Sequence, residues 1–191
     1  MIVSPGQLLL AIAEHETLER TCAALGIELE AARKLLRGAA AKLKVEQPPS
    51  AGPQVGKGAV RVFSDGAARG NPGPAGAGAV VLDAQDRVLA RRGRFLGNAT
   101  NNVAEYKGLL LGLEAARELG AREVQVRADS QLLIRQLKGE YQVKHAGLKP
   151  LHAEALRLLR GFDKYDLAHI PREENALADE MSNRAIDEEM R

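Results

Sequence analysis

The chain has 191 residues, is 45% hydrophobic and carries a formal net charge of +2 with a pI near 8.8, enough for one well-packed domain with a small appendage and too little for two ordinary domains. Aromatic residues make up 3% and tryptophan is absent, so the core must be built from Leu, Val, Ile and Ala, and a nucleic-acid surface cannot rest on indole stacking. The mild positive charge suits a polyanionic partner and an ordinary soluble protein alike.

Residues 1–10 lack a basic leader, and Glu14 and Glu16 interrupt the short apolar run before it reaches spanning length. A cytoplasmic, non-membrane protein is expected. Leu8, Leu9 and Ile12, then Leu18, Cys22 and Leu25, then Leu29, Ala32, Leu35 and Leu36 recur at helical spacing, with Gly26 between the last two runs. Residues 1–45 are therefore read as a small segment of two or three helices. Cys22, the only cysteine, excludes an intramolecular disulfide and reads as a core residue. Residues 18–36 also fit a DNA-binding helix-turn-helix. Glu28 and Glu30 at the start of its second helix speak against that, and a protein- or hybrid-docking appendage is the other reading. Residues 46–58 are dense in Pro and Gly and read as a linker.

Residues 59–191 form the second domain. Alternating segments at 59–64, 75–82 and 88–96 predict an antiparallel meander. A long helix over 103–119 follows, with Leu109, Leu110, Leu113, Ala116 and Leu119 facing a core and Gly120 stopping it. A strand at 123–128, helices at 131–137 and 148–159, a strand at 166–170 and a helix over 176–186 complete an α/β domain with helices on both faces of a mixed sheet.

Asp65 closes the first predicted strand and Asp129 the fourth, so the two acids face one crevice if those strands are adjacent. Glu105 and Asp179 stand near the starts of two helices. Each has a plainer explanation. Asp65-Gly66 and Asn71-Pro72-Gly73-Pro74 fit turns. Asn102 and Glu105 fit a capping box. Asp129-Ser130 fits a helix cap, and Asp179 a helix surface behind an Asn175 cap. Together they point elsewhere, because four converging acids would resist deprotonation unless cations neutralised them. An all-oxygen site suits Mg²⁺ or Mn²⁺, and a pair of such ions serves phosphodiester hydrolysis.

The ordered motifs Asp65-Gly66-Ala67-Ala68-Arg69-Gly70-Asn71-Pro72-Gly73, Thr100-Asn101-Asn102-Val103-Ala104-Glu105, Ala128-Asp129-Ser130-Gln131 and Glu174-Asn175-Ala176-Leu177-Ala178-Asp179 resemble the ribonuclease H type 1 family. The resemblance runs from about Val60 to Ala185. It implies a ribonuclease H-like fold with a five-stranded mixed sheet flanked by helices. It also implies endonucleolytic cleavage of the RNA strand of RNA/DNA hybrids to 5′-phosphate and 3′-hydroxyl products, with two Mg²⁺ or Mn²⁺ ions. By the same resemblance Asp65, Glu105, Asp129 and Asp179 are the catalytic metal-binding acids. Asn102 and Gln131 are minor-groove contacts, where amides can both donate to and accept from base edges and 2′-hydroxyls. Asn101 lies on the same surface, with Asn71 and Asn175 also among the substrate contacts, and the Gly70 turn lets backbone approach the RNA.

Two departures from the best-known bacterial pattern stand out. The loop before the last motif, Pro171-Arg172-Glu173-Glu174, is short and holds no histidine, which leaves Arg172 as the candidate phosphate or product contact and His169 as a strand residue nearby. A tryptophan-bearing basic protrusion is absent after the Asp129 helix, so hybrid binding is expected to be weak and salt-dependent, with Lys138, Lys144 and Lys149 as the available cations. Arg91-Arg92-Gly93-Arg94 fits either a phosphate track or a solvated edge strand. His145 and His152 lack ligand partners at zinc-site spacing. The alternatives are a nucleic-acid-binding scaffold that has lost its chemistry and a nuclease for another duplex such as double-stranded RNA. A monomer is expected.

Overall fold

The fold is a computed structural model that describes residues 59–190 and positions 22, 28, 31 and 32. Most of the helical segment and all of the linker expected before residue 59 lie outside the described residues. The chain divides into two compact units, Met1–Ser50 and Ala51–Arg191, and within the first Cys22 and Ala32 are buried.

In the second unit, alternation of Val60, Val62 and Ser64 inward with Arg61 and Phe63 outward drives β1 (Ala59–Ala68). Strands β2 (Gly73–Leu82) and β3 (Val88–Ala99) pair with it as an antiparallel meander, while β4 (Glu123–Ala128) lies parallel on its other side and β5 (Lys164–His169) parallel to β4. The sheet order is β3-β2-β1-β4-β5. Helices α1 (Asn101–Glu118), α2 (Gln131–Leu137), α3 (Lys149–Leu159) and α4 (Ala176–Glu189) connect and cover it. The expected α/β architecture is present, with α1 on one face of β1 and β2 and α4 on the other.

Several element limits shift by a few residues from the sequence reading, and two of these differences matter to the site. First, β1 does not end at Asp65. Its pairing with β4 stops at Ser64 opposite Ala128, but its pairing with β2 continues through Asp65 opposite Gly78 to Ala68 opposite Ala75. The Asp65-Gly66 turn is thus strand, held by its antiparallel neighbour. Second, α1 begins two residues earlier than predicted, with Thr100 as N-cap accepting from the Val103 amide at 3.3 Å. Asn102 is inside the helix, so no capping box ties Glu105, which lies beyond the first turn. The α1 stripe Leu109, Leu110, Leu113, Ala116 and Leu119 is buried as expected, against Val60, Val62, Val124 and Leu159. Burying each such leucine stabilises the fold by roughly 1.5–3 kcal/mol.

Candidate metal centre

The position of Asp65 follows from strand register. Ser64 and Ala128 are the last parallel partners of β1 and β4, so Asp65 and Asp129 are the next residues of adjacent strands at their carboxyl ends, where α/β sheets open a crevice. Glu105 arrives from α1 because the helix crosses β1 with almost no space between the backbones. A Cβ on Gly66 would lie 2.1 Å from the backbone of Ala104 and Glu105, and one on Gly108 would lie 2.2 Å from the Asp65 carbonyl oxygen. Only glycine permits that approach. The result is that Asp65, Glu105 and Asp129 each place a carboxylate oxygen within 4.8 Å of the others.

Electrostatics record the crowding. Burial pushes the Glu105 carboxyl up to about 9, with the Asp65 and Asp129 charges adding to it and the Asn101 amide, 3.4 Å away, pulling against it. Burial also raises Asp65, opposed by a hydrogen bond from the Ser182 hydroxyl and reinforced by Asp129 and Asp179. Among the described residues Glu105 Oε2 is buried with no hydrogen-bond partner, an arrangement that costs stability unless something else satisfies the oxygen. An all-oxygen cluster with raised pKa values and an orphaned acceptor fits a hard divalent cation.

The fourth acid is placed differently. Asp179 lies in the first turn of α4 outside the three-acid group. Its Oδ1 accepts from Arg172 at 2.6 Å and its Oδ2 from Asn183 at 3.2 Å, while its charge still raises Asp65. Arg172 lies in a single 3₁₀ turn (Arg172–Asn175) and is engaged with this acid in an exposed pair.

Asn175 occupies the N-cap position of α4 but makes no side-chain cap. Instead its buried amide donates to the Ser64 carbonyl at 3.0 Å and to Asp129 Oδ1 at 2.8 Å, lying beneath the carboxylate. Asn101 likewise braces Glu105, and its own backbone amide donates to Asn71 Oδ1 at 3.2 Å. This last bond fastens the β1–β2 turn to the start of α1. Gly70, in that turn, has φ +104° and is exposed with Asn71. Asn102 and Gln131 are exposed on the first turns of α1 and α2, and Ser130, not Asp129, caps α2 by accepting from the Leu133 amide. The His169 ring, at the end of β5, has Nε2 3.2 Å from the Asp129 backbone oxygen. Arg91, Arg92 and Arg94 are exposed on the edge strand β3, and Arg92 pairs with Glu118.

Sequence reasoning missed Ser182, whose buried hydroxyl lies 2.5 Å from Asp65 Oδ2. Its spacing of three residues from Asp179 on one helix face was the available signal. Among the described residues no helix is long and apolar enough to cross a membrane.

Residues 63–185 match the family described as "Reverse transcriptase-like". Ribonuclease HI of Halobacterium salinarum is 41% identical over 131 residues, which are 69% of this chain and 66% of that protein. A bifunctional protein of Mycobacterium tuberculosis is 46% identical over 129 residues, 67% of this chain and 35% of its own length. The chain thus spans about two thirds of the first relative and one third of the second. Among solved structures, the halobacterial enzyme superimposes with a TM-score of 0.67, covering 69% of this chain and 99% of that one. LC11-RNase H1, from compost, was solved in complex with an RNA/DNA hybrid; it is 41% identical, with a TM-score of 0.66 and coverage of 69% and 99%. With the three acids converging at the carboxyl ends of β1 and β4, these matches lead to one conclusion: the chain belongs to the ribonuclease H type 1 family.

Proposed function

We propose that residues 59–191 are the catalytic domain of an endonuclease that hydrolyses the RNA strand of RNA/DNA hybrids to 5′-phosphate and 3′-hydroxyl ends, using two Mg²⁺ or Mn²⁺ ions. The observation that carries this reading is the convergence of Asp65, Glu105 and Asp129 within 4.8 Å around a Glu105 oxygen that has no hydrogen-bond partner among the described residues. The hybrid-bound relative LC11-RNase H1 supports the choice of substrate.

Asp65, Glu105 and Asp129 would hold the ions, and Asp179 would join them once Arg172 releases it. Bound there, divalent ions lower the pKa of the attacking water and stabilise charge developing on the departing 3′ oxygen. The protein's own share is placement. Asn175 fixes Asp129 from below, Asn101 steadies Glu105, and Arg172, released from Asp179, is a guanidinium for the scissile or product phosphate. Asn102 and Gln131, exposed on neighbouring helix starts, would read base edges and 2′-hydroxyls across the minor groove, while Gly70 and Asn71 bring the β1–β2 turn against the RNA strand. Asn175 is too deeply buried to join them and serves through Asp129.

Residues 1–45 would form a separate helical docking segment tethered by 46–58, on a cytoplasmic monomer. The test of the whole reading is cleavage of matched RNA/DNA hybrid, RNA duplex and DNA duplex in Mg²⁺ and in Mn²⁺. Cutting confined to the RNA strand of the hybrid is expected. Equal cutting of DNA duplex, or none of any substrate with either metal, would overturn it.

A further inference from the structure

Ser182 lies on α4, away from the three acids in sequence, yet its side chain is fully buried against one of them. Its hydroxyl oxygen is 2.5 Å from Asp65 Oδ2 and 2.9 Å from the Asp179 backbone oxygen. A hydroxyl has one proton to give, and an ionised carboxylate is the stronger acceptor. The Asp65 bond therefore takes the proton when that acid is charged, and the Asp179 carbonyl is the alternative partner.

The placement of this hydroxyl is built into the backbone. On β2, a Cβ at Gly78 would lie 2.4 Å from both the Ser182 amide nitrogen and the Ala178 carbonyl oxygen, and one at Gly76 would lie 2.2 Å from the Ser182 carbonyl oxygen. Two Cβ-free positions thus let α4 touch the sheet at Ser182, opposite the strand that carries Asp65. The turn so anchored begins with Asp179, whose main-chain oxygen is the second partner of the same hydroxyl. Ser182 thus joins Asp65 to the turn of α4 that begins at Asp179.

We infer that Ser182 is a positioning residue of the metal site: its hydroxyl holds Asp65 Oδ2, fixing the rotation of that carboxylate toward a divalent cation shared with Glu105 and Asp129, and ties it to the helical turn that carries Asp179. This rests on the proposed metal-dependent nuclease. Removing the hydroxyl leaves Asp65 free to rotate, so a cation must order it on binding. Partners of this kind around a metal ligand are typically worth about 10-fold or more in affinity.

The test is calorimetric titration of the full chain with MnCl₂ and MgCl₂ in the absence of nucleic acid, for the parent, Ser182→Ala and Ser182→Cys, alongside the Mg²⁺ dependence of hybrid cleavage. Both substitutions remove the strong donor. Alanine suits a helix interior, and cysteine keeps a filled side-chain position with only a weak donor, so the second variant decides the matter if the first fails to fold. The expected result is metal affinity weakened about 10-fold in both, with the activation midpoint moved to higher Mg²⁺, kcat at saturating Mg²⁺ near the parent value and KM for hybrid unchanged. A folded variant with parental metal affinity and a parental activation midpoint overturns the inference and leaves the nuclease reading intact. Equal losses of melting temperature with and without metal, at unchanged affinity, assign Ser182 to packing alone and also overturn it. A parent that binds neither metal overturns both readings together.

Discussion

The inner and outer halves of the site are held by different means. Asp65 and Glu105 are 6% and 8% exposed and are set by backbone against backbone, through Gly66 and Gly108. Arg172 and Asp179 have side chains 74% and 29% exposed and are set by an ion pair, with an added hydrogen bond from Asn183 to Asp179. Main-chain contact buries the inner acids side by side in a fixed geometry, and the cost, desolvation first and like charge second, appears as raised carboxyl pKa values. The outer pair is already neutralised and can rearrange with little loss, because exposed ion pairs contribute about 1 kcal/mol or less. On the proposed reading a cation would repair the inner half, whereas the outer half would have to exchange one partner for another.

The sharpest way to break this comparison is to remove an inner ligand. Asp65→Asn or Asp129→Asn should lower hybrid cleavage by about 1000-fold or more, the scale of several kcal/mol of lost transition-state stabilisation, with the circular dichroism spectrum unchanged. A folded mutant cutting at near the parent rate would remove that residue from the site.

Next comes the backbone contact itself. Gly66→Ala puts a methyl group where a helix backbone stands, so the helix must move. Calorimetric unfolding should show a loss of at least about 2–3 kcal/mol, together with a fall in kcat as Glu105 is carried away from Asp65. Parental stability would mean the two backbones are not in contact.

Charge on the inner half can be tested without nucleic acid. A carboxyl whose folded pKa lies above its unfolded value binds its proton more tightly in the fold, so the fold loses stability as pH rises between the two values. For Glu105 that window runs from its ordinary 4.5 to about 9. The metal-free protein should melt at progressively lower temperature across that range, and added Mg²⁺ should restore more at pH 8 than at pH 5. Glu105→Gln should abolish cleavage and yet raise the metal-free melting temperature at pH 8, by roughly 3–6 °C for each kcal/mol of burial and repulsion penalty removed. A pH-independent melting temperature would contradict the electrostatic account.

The smallest effects belong to the outer half and the segment before the domain. Arg172→Ala should change stability by about 1 kcal/mol or less and lower kcat/KM for hybrid, the larger loss appearing in whichever parameter the guanidinium serves. A chain starting near Val55 should keep kcat at saturating hybrid, with any loss confined to KM through Arg33, Lys34, Arg37, Lys42 and Lys44. A folded truncation with reduced kcat would give the helical segment a part in the chemistry.

Local pattern alone determined the strand and helix order and the buried stripe of α1, because side-chain periodicity is a property of neighbouring residues. The β4 and α2 limits matched the sequence reading for the same reason. The four acids, by contrast, were singled out only by their order and contexts together, through the family resemblance. Asp65-Gly66 and Asn102 misled it because each fits a common local motif, a turn and a cap, and only pairing with β2 and the Thr100 cap displaced those motifs. Asn175 reads as a cap from its neighbours but spends its amide on residues 111 and 46 positions away. The 4.8 Å convergence of the three acids and the Ser182 bond to Asp65 were decided only by tertiary structure. They depend on how closely a helix can approach a strand, and that distance is set by which glycines face each other across the packed layers, a pairing no linear spacing encodes.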